Sequence, residues 1–411
     1  MREERVCRAR MESSALATET AVAGAKADGS NHPSKFLRGL VRSLALLLCS
    51  ALASSGQGVG GKVIVHSMFG GQIFGFDIDQ NGTEGVLSEA QTLNNGQVLA
   101  AVETFDQKTG KILAVVTKTQ TSDDFVTMGI VNNSVGLIEH EIEGSLFRVT
   151  RKFQVINPVS SNQFTGTWTP PLGSQDIIMP GGVSRSQGIP NVAVFVYDNS
   201  GHFIPKVFSS NVGANAFGPV VKITDSNNFG SIPPPIAYDS ATNQAVLGGG
   251  PGCFFCRPVI GLVDLTNAKF SEFTGIGFGF INGIAVDAAD GIFVTTTEDD
   301  ATVEFYSLSS QTGFTLQLPN SQGQQFYSGA DVEFDPIHKL FFVAQPNSSV
   351  SSGSTIYIYD TQGVLKETLN GFSFSNTFNI IPMHIALNPG KRIGFVDGPD
   401  QGVTELQSFA Y

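Results

Sequence analysis

Three observations predict an all-β chain built from repeated four-stranded sheets. Gly and Phe are abundant, with 46 and 32 copies, and only 15% of the residues are charged. That composition suits short strands and tight turns rather than helices, whose exposed faces favour Ala, Glu, Lys and Leu. Short apolar segments that end in Asp or Asn begin at Ile236, Ile284, Val332 and Ile385, spaced 48, 48 and 53 residues apart. No 3.6-residue apolar period accompanies them, so the repeat is one of strands. A single four-stranded sheet cannot shelter both of its faces, whereas sheets packed radially cover one another and leave only short edges. The fold class expected is therefore a β-propeller.

The chain opens with a leader. Lys35, Arg38 and Arg42 precede an apolar run from Ser43 to Ala53, and Ala51-Leu52-Ala53 matches the small-x-small rule for signal cleavage. Residues 1–53 are thus expected to be a leader whose signal core is 35–53, with the propeller domain occupying 54–411. The apolar run is shorter than the roughly 20 residues that cross a bilayer, so no stable membrane insertion is expected after signal removal. The polar stretch before Lys35 is long for a signal n-region, which points to a start downstream of Met1. The destination read from this segment is secreted, either extracellular or periplasmic.

The first 53 residues carry eight Lys or Arg against five Asp or Glu, a net +3, which leaves −15 for the rest of a chain whose total is −12. An acidic body without a basic stripe repels phosphate backbones, so nucleic acid is not an expected partner.

After the leader, two kinds of arm alternate. The first is the Asp- or Asn-ended strand, with segment 102–106 as an earlier, looser copy. A turn and another apolar strand follow each copy. The second arm is clear at 73–79, 192–198 and 356–360, and weaker at 125–131, 260–265, 303–308 and 403–409. Seven second arms predict seven blades of four strands. Six or eight also satisfy the spacing, because residues 140–230 hold one clear arm and read as a long or degenerate blade region. The first copy lacks a leading strand and the last a closing one, so strands from both ends of the chain are expected to close the ring. Their pairing is left open.

Cys253 and Cys256, within Gly-Cys-Phe-Phe-Cys-Arg, are the cysteines that remain once the leader is removed. A glycine-rich loop in an oxidising compartment makes a local disulfide the plain expectation. His66, His140, His202 and His338 are scattered without metal-ligand spacing. Neither a Gly-x-Ser-x-Gly elbow nor a phosphate-binding loop is present in the sequence.

The phrases Asn282-Gly283-Ile284-Ala285-Val286-Asp287 and Ile356-Tyr357-Ile358-Tyr359-Asp360-Thr361-Gln362-Gly363 resemble blade motifs of the NHL, YVTN and gluconolactonase-like propeller superfamily. The resemblance covers residues 232–411 well and 62–117 loosely. In propellers the residues just before each innermost strand face the central channel, which makes Glu103, Asn282, Asp331 and His384 candidates there. The resemblance to gluconolactonase-like enzymes implies a divalent cation (Ca, Zn or Mn) held by Glu103, Asn282 and Asp331, polarising a lactone carbonyl and activating water. Asn282 before Gly283 fits the family's ligand phrase, whereas Asp331 and Glu103 stand outside theirs. With that set incomplete, the expected function is a non-catalytic binding scaffold presenting loops or a channel to a protein or glycan partner. The rival is a secreted metal-dependent lactonase.

Overall fold

The computed structural model describes residues 63–411 except for connecting segments, among them 157–163, 185–190, 225–228, 251–255, 298–301, 320–330, 346–353, 373–384 and 398–404. In chain order, β1 (Ile64–His66) precedes a sheet of β2 (Gln72–Ile78), β3 (Glu84–Thr92), β4 (Val98–Asp106) and β5 (Ile112–Gln120). A nine-stranded sheet follows. Its members are β6 (Asp124–Asn132), β7 (Val135–Glu143), β8 (Arg148–Ile156), β9 (Phe164–Gly166), β10 (Asp176–Val183), β11 (Asn191–Asp198), β12 (Ile204–Asn211), β13 (Ala216–Phe217) and β14 (Val221–Lys222).

Three four-stranded sheets come next, each in simple meander order. They are β15 (Ile236–Asp239), β16 (Gln244–Gly249), β17 (Val259–Asp264) and β18 (Lys269–Thr274); β19 (Ile281–Asp287), β20 (Ile292–Thr297), β21 (Thr302–Ser307) and β22 (Gly313–Gln317); and β23 (Asp331–Asp335), β24 (Leu340–Gln345), β25 (Ser354–Asp360) and β26 (Leu365–Phe372). The last sheet holds β27 (Ile385–Asn388), β28 (Ile393–Asp397) and β29 (Glu405–Ala410), with β1 as its outermost strand. Ile64, Val65 and His66 lie opposite Gln407, Leu406 and Glu405. Strands from both ends of the chain therefore close the ring, as the missing arms implied.

The period-2 alternation of the strands explains why these sheets stack. In β15, Ile236 and Tyr238 pack toward β11, β12 and β14, whereas Ala237 packs toward β19 and β20. In β19, Ile284 and Val286 face back to that sheet while Ala285 faces β23 and β24. Phe341 and Val343 of β24 face β20 and β21, and Phe342 and Ala344 face β27 and β28. Ile385 and Leu387 of β27 face β24 and β25, and Ala386 faces β2. Each of these apolar clusters thus straddles two sheets, and every Val, Leu, Ile or Phe side chain withdrawn from water contributes about 1.5–3 kcal/mol, an Ala less. The innermost strands β15, β19, β23, β27 and β2 pack in succession.

Among the described residues the structure shows six sheets, and hence six blades: the lowest of the counts the spacing allows rather than the seven that the second arms predict. The arms at 125–131 and 192–198 were assigned to different blades, yet both belong to the nine-stranded sheet. It runs β13-β12-β11-β10-β8-β7-β6, and β8 joins β10 at Thr150 opposite Ile178. Segment 102–106 is also placed differently. It forms the third strand of its sheet rather than an innermost one.

The Asp and Asn strand ends are explained by the turns they build. Asp106 accepts the N–H groups of Lys108 and Thr109, Asp239 those of Ala241 and Thr242, and Asp335 those of Ile337 and His338. Asn388 accepts the Lys391 N–H through its side-chain oxygen. The fourth residue onward is left-handed in each turn: Gly110, Asn243, Lys339 and Arg392, with Gly291 after Asp287. A short side-chain acceptor followed by one left-handed residue lets an inner strand reverse tightly into its neighbour.

Candidate functional site

The channel candidates gather where β19, β23 and β27 begin. β19 carries a bulge between Ile281 and Gly283, with Asn282 at its centre. Gly283 lies so close to the next sheet that an added Cβ would come within 2.7 Å of the Asp331 Cα and the Val332 N. That approach sets the Gly283 and Asp331 backbones side by side. Asp331 is 7% exposed. Its Oδ1 accepts the Val332 N–H at 2.9 Å and its Oδ2 accepts the Ile385 N–H of β27 at 2.8 Å. One carboxylate therefore ties two neighbouring inner strands together. His384, the residue before Ile385, lies outside the described residues.

Glu103 has a different neighbourhood. It lies on β4 with no exposed surface, and both its oxygens accept the Met68 N–H, at 2.9 and 3.0 Å. Beside it Glu89 of β3, also buried, accepts the N–H groups of Phe69 at 2.9 Å and Gly71 at 2.7 Å. Two sealed carboxyl groups thus hold the connection between β1 and β2. Burial, first, and then the hydrogen bond and charge of Glu89 push the Glu103 carboxyl up to about 8, against the lowering effect of the Met68 N–H. Donors aimed at a carboxylate occupy the lone pairs that a cation would use. The structure therefore commits Glu103 to the β1–β2 connection and sets Gly283, the neighbour of Asn282, beside the Asp331 backbone. Among the described residues no group of three or more His, Cys, Asp or Glu is arranged to hold a metal ion.

Glu89 and Glu304 escaped the sequence reading, because an acid inside an alternating strand carries no turn or motif signal. Glu304 of β21 is sealed, and the hydroxyls of Thr295, Thr297 and Thr302 donate to it at 2.8, 3.4 and 2.6 Å. On the opposite face, ionic and polar contacts link successive sheets. Lys339 reaches back to Asp287 at 2.9 Å, and Tyr411 donates its hydroxyl to Asp335 at 2.8 Å. Burial raises the Asp287 carboxyl despite that lysine, with Asp290 adding to the rise. Asn388 donates to the Asp79 carbonyl and to the Gln107 side chain.

Cys253 lies outside the described residues; Cys256 begins the described run into β17, and its carbonyl accepts the Gly279 N–H. Among the described residues, two large apolar side chains face solvent on connections that enter an innermost strand: Met68, 59% exposed, before β2, and Phe278, 38% exposed, before β19. Strand polarity sets both connections on the same face of the ring.

No protein-family model matches the chain, and no curated protein matches it. Among solved structures, the crystal structure of Raptor from Chaetomium thermophilum is similar, with a TM-score of 0.56 at 12% identity over 85% of this chain. This chain spans only 28% of that protein. At that identity the likeness is one of fold.

Proposed function

We propose that this chain is an exported binding scaffold that meets a protein or glycan partner through the loops at one face of its ring. The observation that carries this reading is the use made of the buried acids. Asp331 and Glu103 spend oxygens on the backbone N–H groups of Ile385 and Met68, which is the work of holding a scaffold together. Meanwhile Met68 and Phe278 are turned to solvent on the same face. Residues 1–53 act as the leader that directs export, and Cys253 and Cys256 form a disulfide in the compartment it reaches.

The close approach of Gly283, the residue after Asn282, to the Asp331 backbone favours a second reading, a metal-dependent lactonase with the Asn282 and Asp331 side-chain oxygens on a divalent cation. Assaying the full chain against a panel of lactones with Ca, Zn or Mn decides between them. The scaffold reading expects no turnover above the metal-only control. Robust turnover that Asn282→Ala abolishes would establish the lactonase instead.

A further inference from the structure

The outer strand of each sheet is an edge, and proteins blunt edges with charge, bulges or brevity because an open edge pairs with other chains. Most outer strands here are blunted. β1 spans three residues, and the β4–β5 pairing is bulged. β18 carries Lys269 and Glu272. β26 carries Lys366 and Glu367 and its pairing with β25 is bulged twice. β22 is the exception among the outer strands of the four-stranded sheets. It reads Gly-Phe-Thr-Leu-Gln, has no charge, and pairs with β21 in unbroken register.

An apolar notch lies beside that edge. Phe314 is 45% exposed and stacks on buried Phe305 with ring centroids 5.2 Å apart. The turn before β26 comes close enough that a Cβ on Gly363 would lie 2.8 Å from Leu316 and 2.9 Å from Phe314. The two residues after that glycine, Val364 and Leu365, are 52% and 40% exposed. Ser307 N–H bonds to the Thr312 carbonyl. By the alternation of an antiparallel ladder, Phe314 and Leu316 then bond inward to β21, and the backbone groups of Gly313 and Thr315 point outward.

We infer that β22 accepts an extended segment of a partner protein as a fifth strand, with apolar residues of that segment in the notch formed by Phe314, Leu316, Val364 and Leu365. The occupant is a strand because the outward backbone groups of Gly313 and Thr315 offer it main-chain donors and acceptors, with alternate side chains entering one pocket. Its flanks are basic. The chain carries a net charge of −12, which repels a second copy and attracts a cationic segment to an edge that has no charge of its own. The inference rests on the scaffold reading and adds to its loop face a second contact, on the rim of the ring, with a partner chemistry of its own.

The test uses the full chain and two fluorescent decapeptides, alternating Val and Thr, flanked by Lys in one and by Glu in the other. Fluorescence anisotropy is expected to show the Lys-flanked peptide binding at least about tenfold more tightly than the Glu-flanked one. Thr315→Pro removes an outward N–H that β21 does not use, a substitution an edge tolerates. It is expected to weaken binding at least about tenfold and leave the melting temperature within about 2 °C. Should that variant unfold, Thr315→Lys, which places charge on the edge, is expected to weaken binding similarly. Equal binding by wild type and by a folded variant overturns the inference, as does no binding to wild type. Sedimentation showing a dimer that Thr315→Pro dissolves would also overturn it, by making a second copy the occupant. Lactone turnover would refute the scaffold reading without altering the peptide result, so the two failures are separable.

Discussion

The Glu103 carboxyl shows how one residue can set a pH limit for the protein. Its ordinary value of 4.5 applies to the unfolded chain, and burial with Glu89 alongside pushes the folded value up to about 8. Between those values the folded state keeps a proton that the unfolded state has released. The protein is therefore most stable, with respect to this group, below the lower value, and it loses that stability as pH rises toward the upper one. The unfolding midpoint in urea is expected to fall between about pH 5 and pH 8, by the equivalent of roughly 2–4 kcal/mol. Glu103→Gln keeps an acceptor for the Met68 N–H and is expected to flatten that dependence. A midpoint that climbs across the window, or an unchanged slope in the variant, contradicts the assignment. None of this was legible in the sequence. Glu103 was read as a channel residue, and only the fold reveals that β4 and β3 turn two acids to the same buried face.

At the scale of the element, the Asp-ended strand was legible because its chemistry is local. A carboxylate that accepts N–H groups two and three residues ahead needs no knowledge of the rest of the fold. Which strand of a blade the turn follows was not legible. Asp106 and Gly110 build the same turn as Asp335 and Lys339, yet the first joins β4 to β5 and the second joins β23 to β24. Turn residues specify a hairpin and say nothing about its distance from the axis. Asp335 also does more than a turn residue, since it accepts from the Tyr411 hydroxyl and contacts His338 Nδ1 at 2.7 Å. Asp335→Ala is thus expected to cost about 2–4 kcal/mol, because it strands buried donors as well as loosening the turn. Asp239→Ala, which removes the acceptor of Ala241 and Thr242 within one turn, is expected to cost only about 1 kcal/mol. Denaturant titration of both variants measures the difference, and equal costs would show that Asp335 has no role beyond its turn.

For the whole molecule, the regular spacing of Asp-ended strands without a helical period carries the propeller prediction, and the apolar clusters shared between sheets bear it out. Blade number was less accessible. The pairing of β8 with β10 joins segments that the sequence reading separated, and a bridge such as Thr150 to Ile178 leaves no trace in local pattern. Ring closure rests on β1, where Val65 has no exposed surface and packs among Ala386, Phe395 and Leu406. Val65→Asp is expected to cost about 3–5 kcal/mol by burying an unpaired carboxylate. Hydrogen exchange should then show lost protection in β29 before β19 or β23. Uniform loss across all sheets would mean that the ring unfolds as one unit rather than opening at its seam.

That seam also imposes an order on biosynthesis. Val63 and Ser408 exchange hydrogen bonds across 345 residues of chain. Drawing together the ends of so long a coil costs about 5 kcal/mol on polymer grounds. Sheets assembled in between shorten the effective loop, so the outermost strand is the last to dock. Until Leu406 has been made, Val65 has no strand to pair with, and the sheets assembled between them form an open arc.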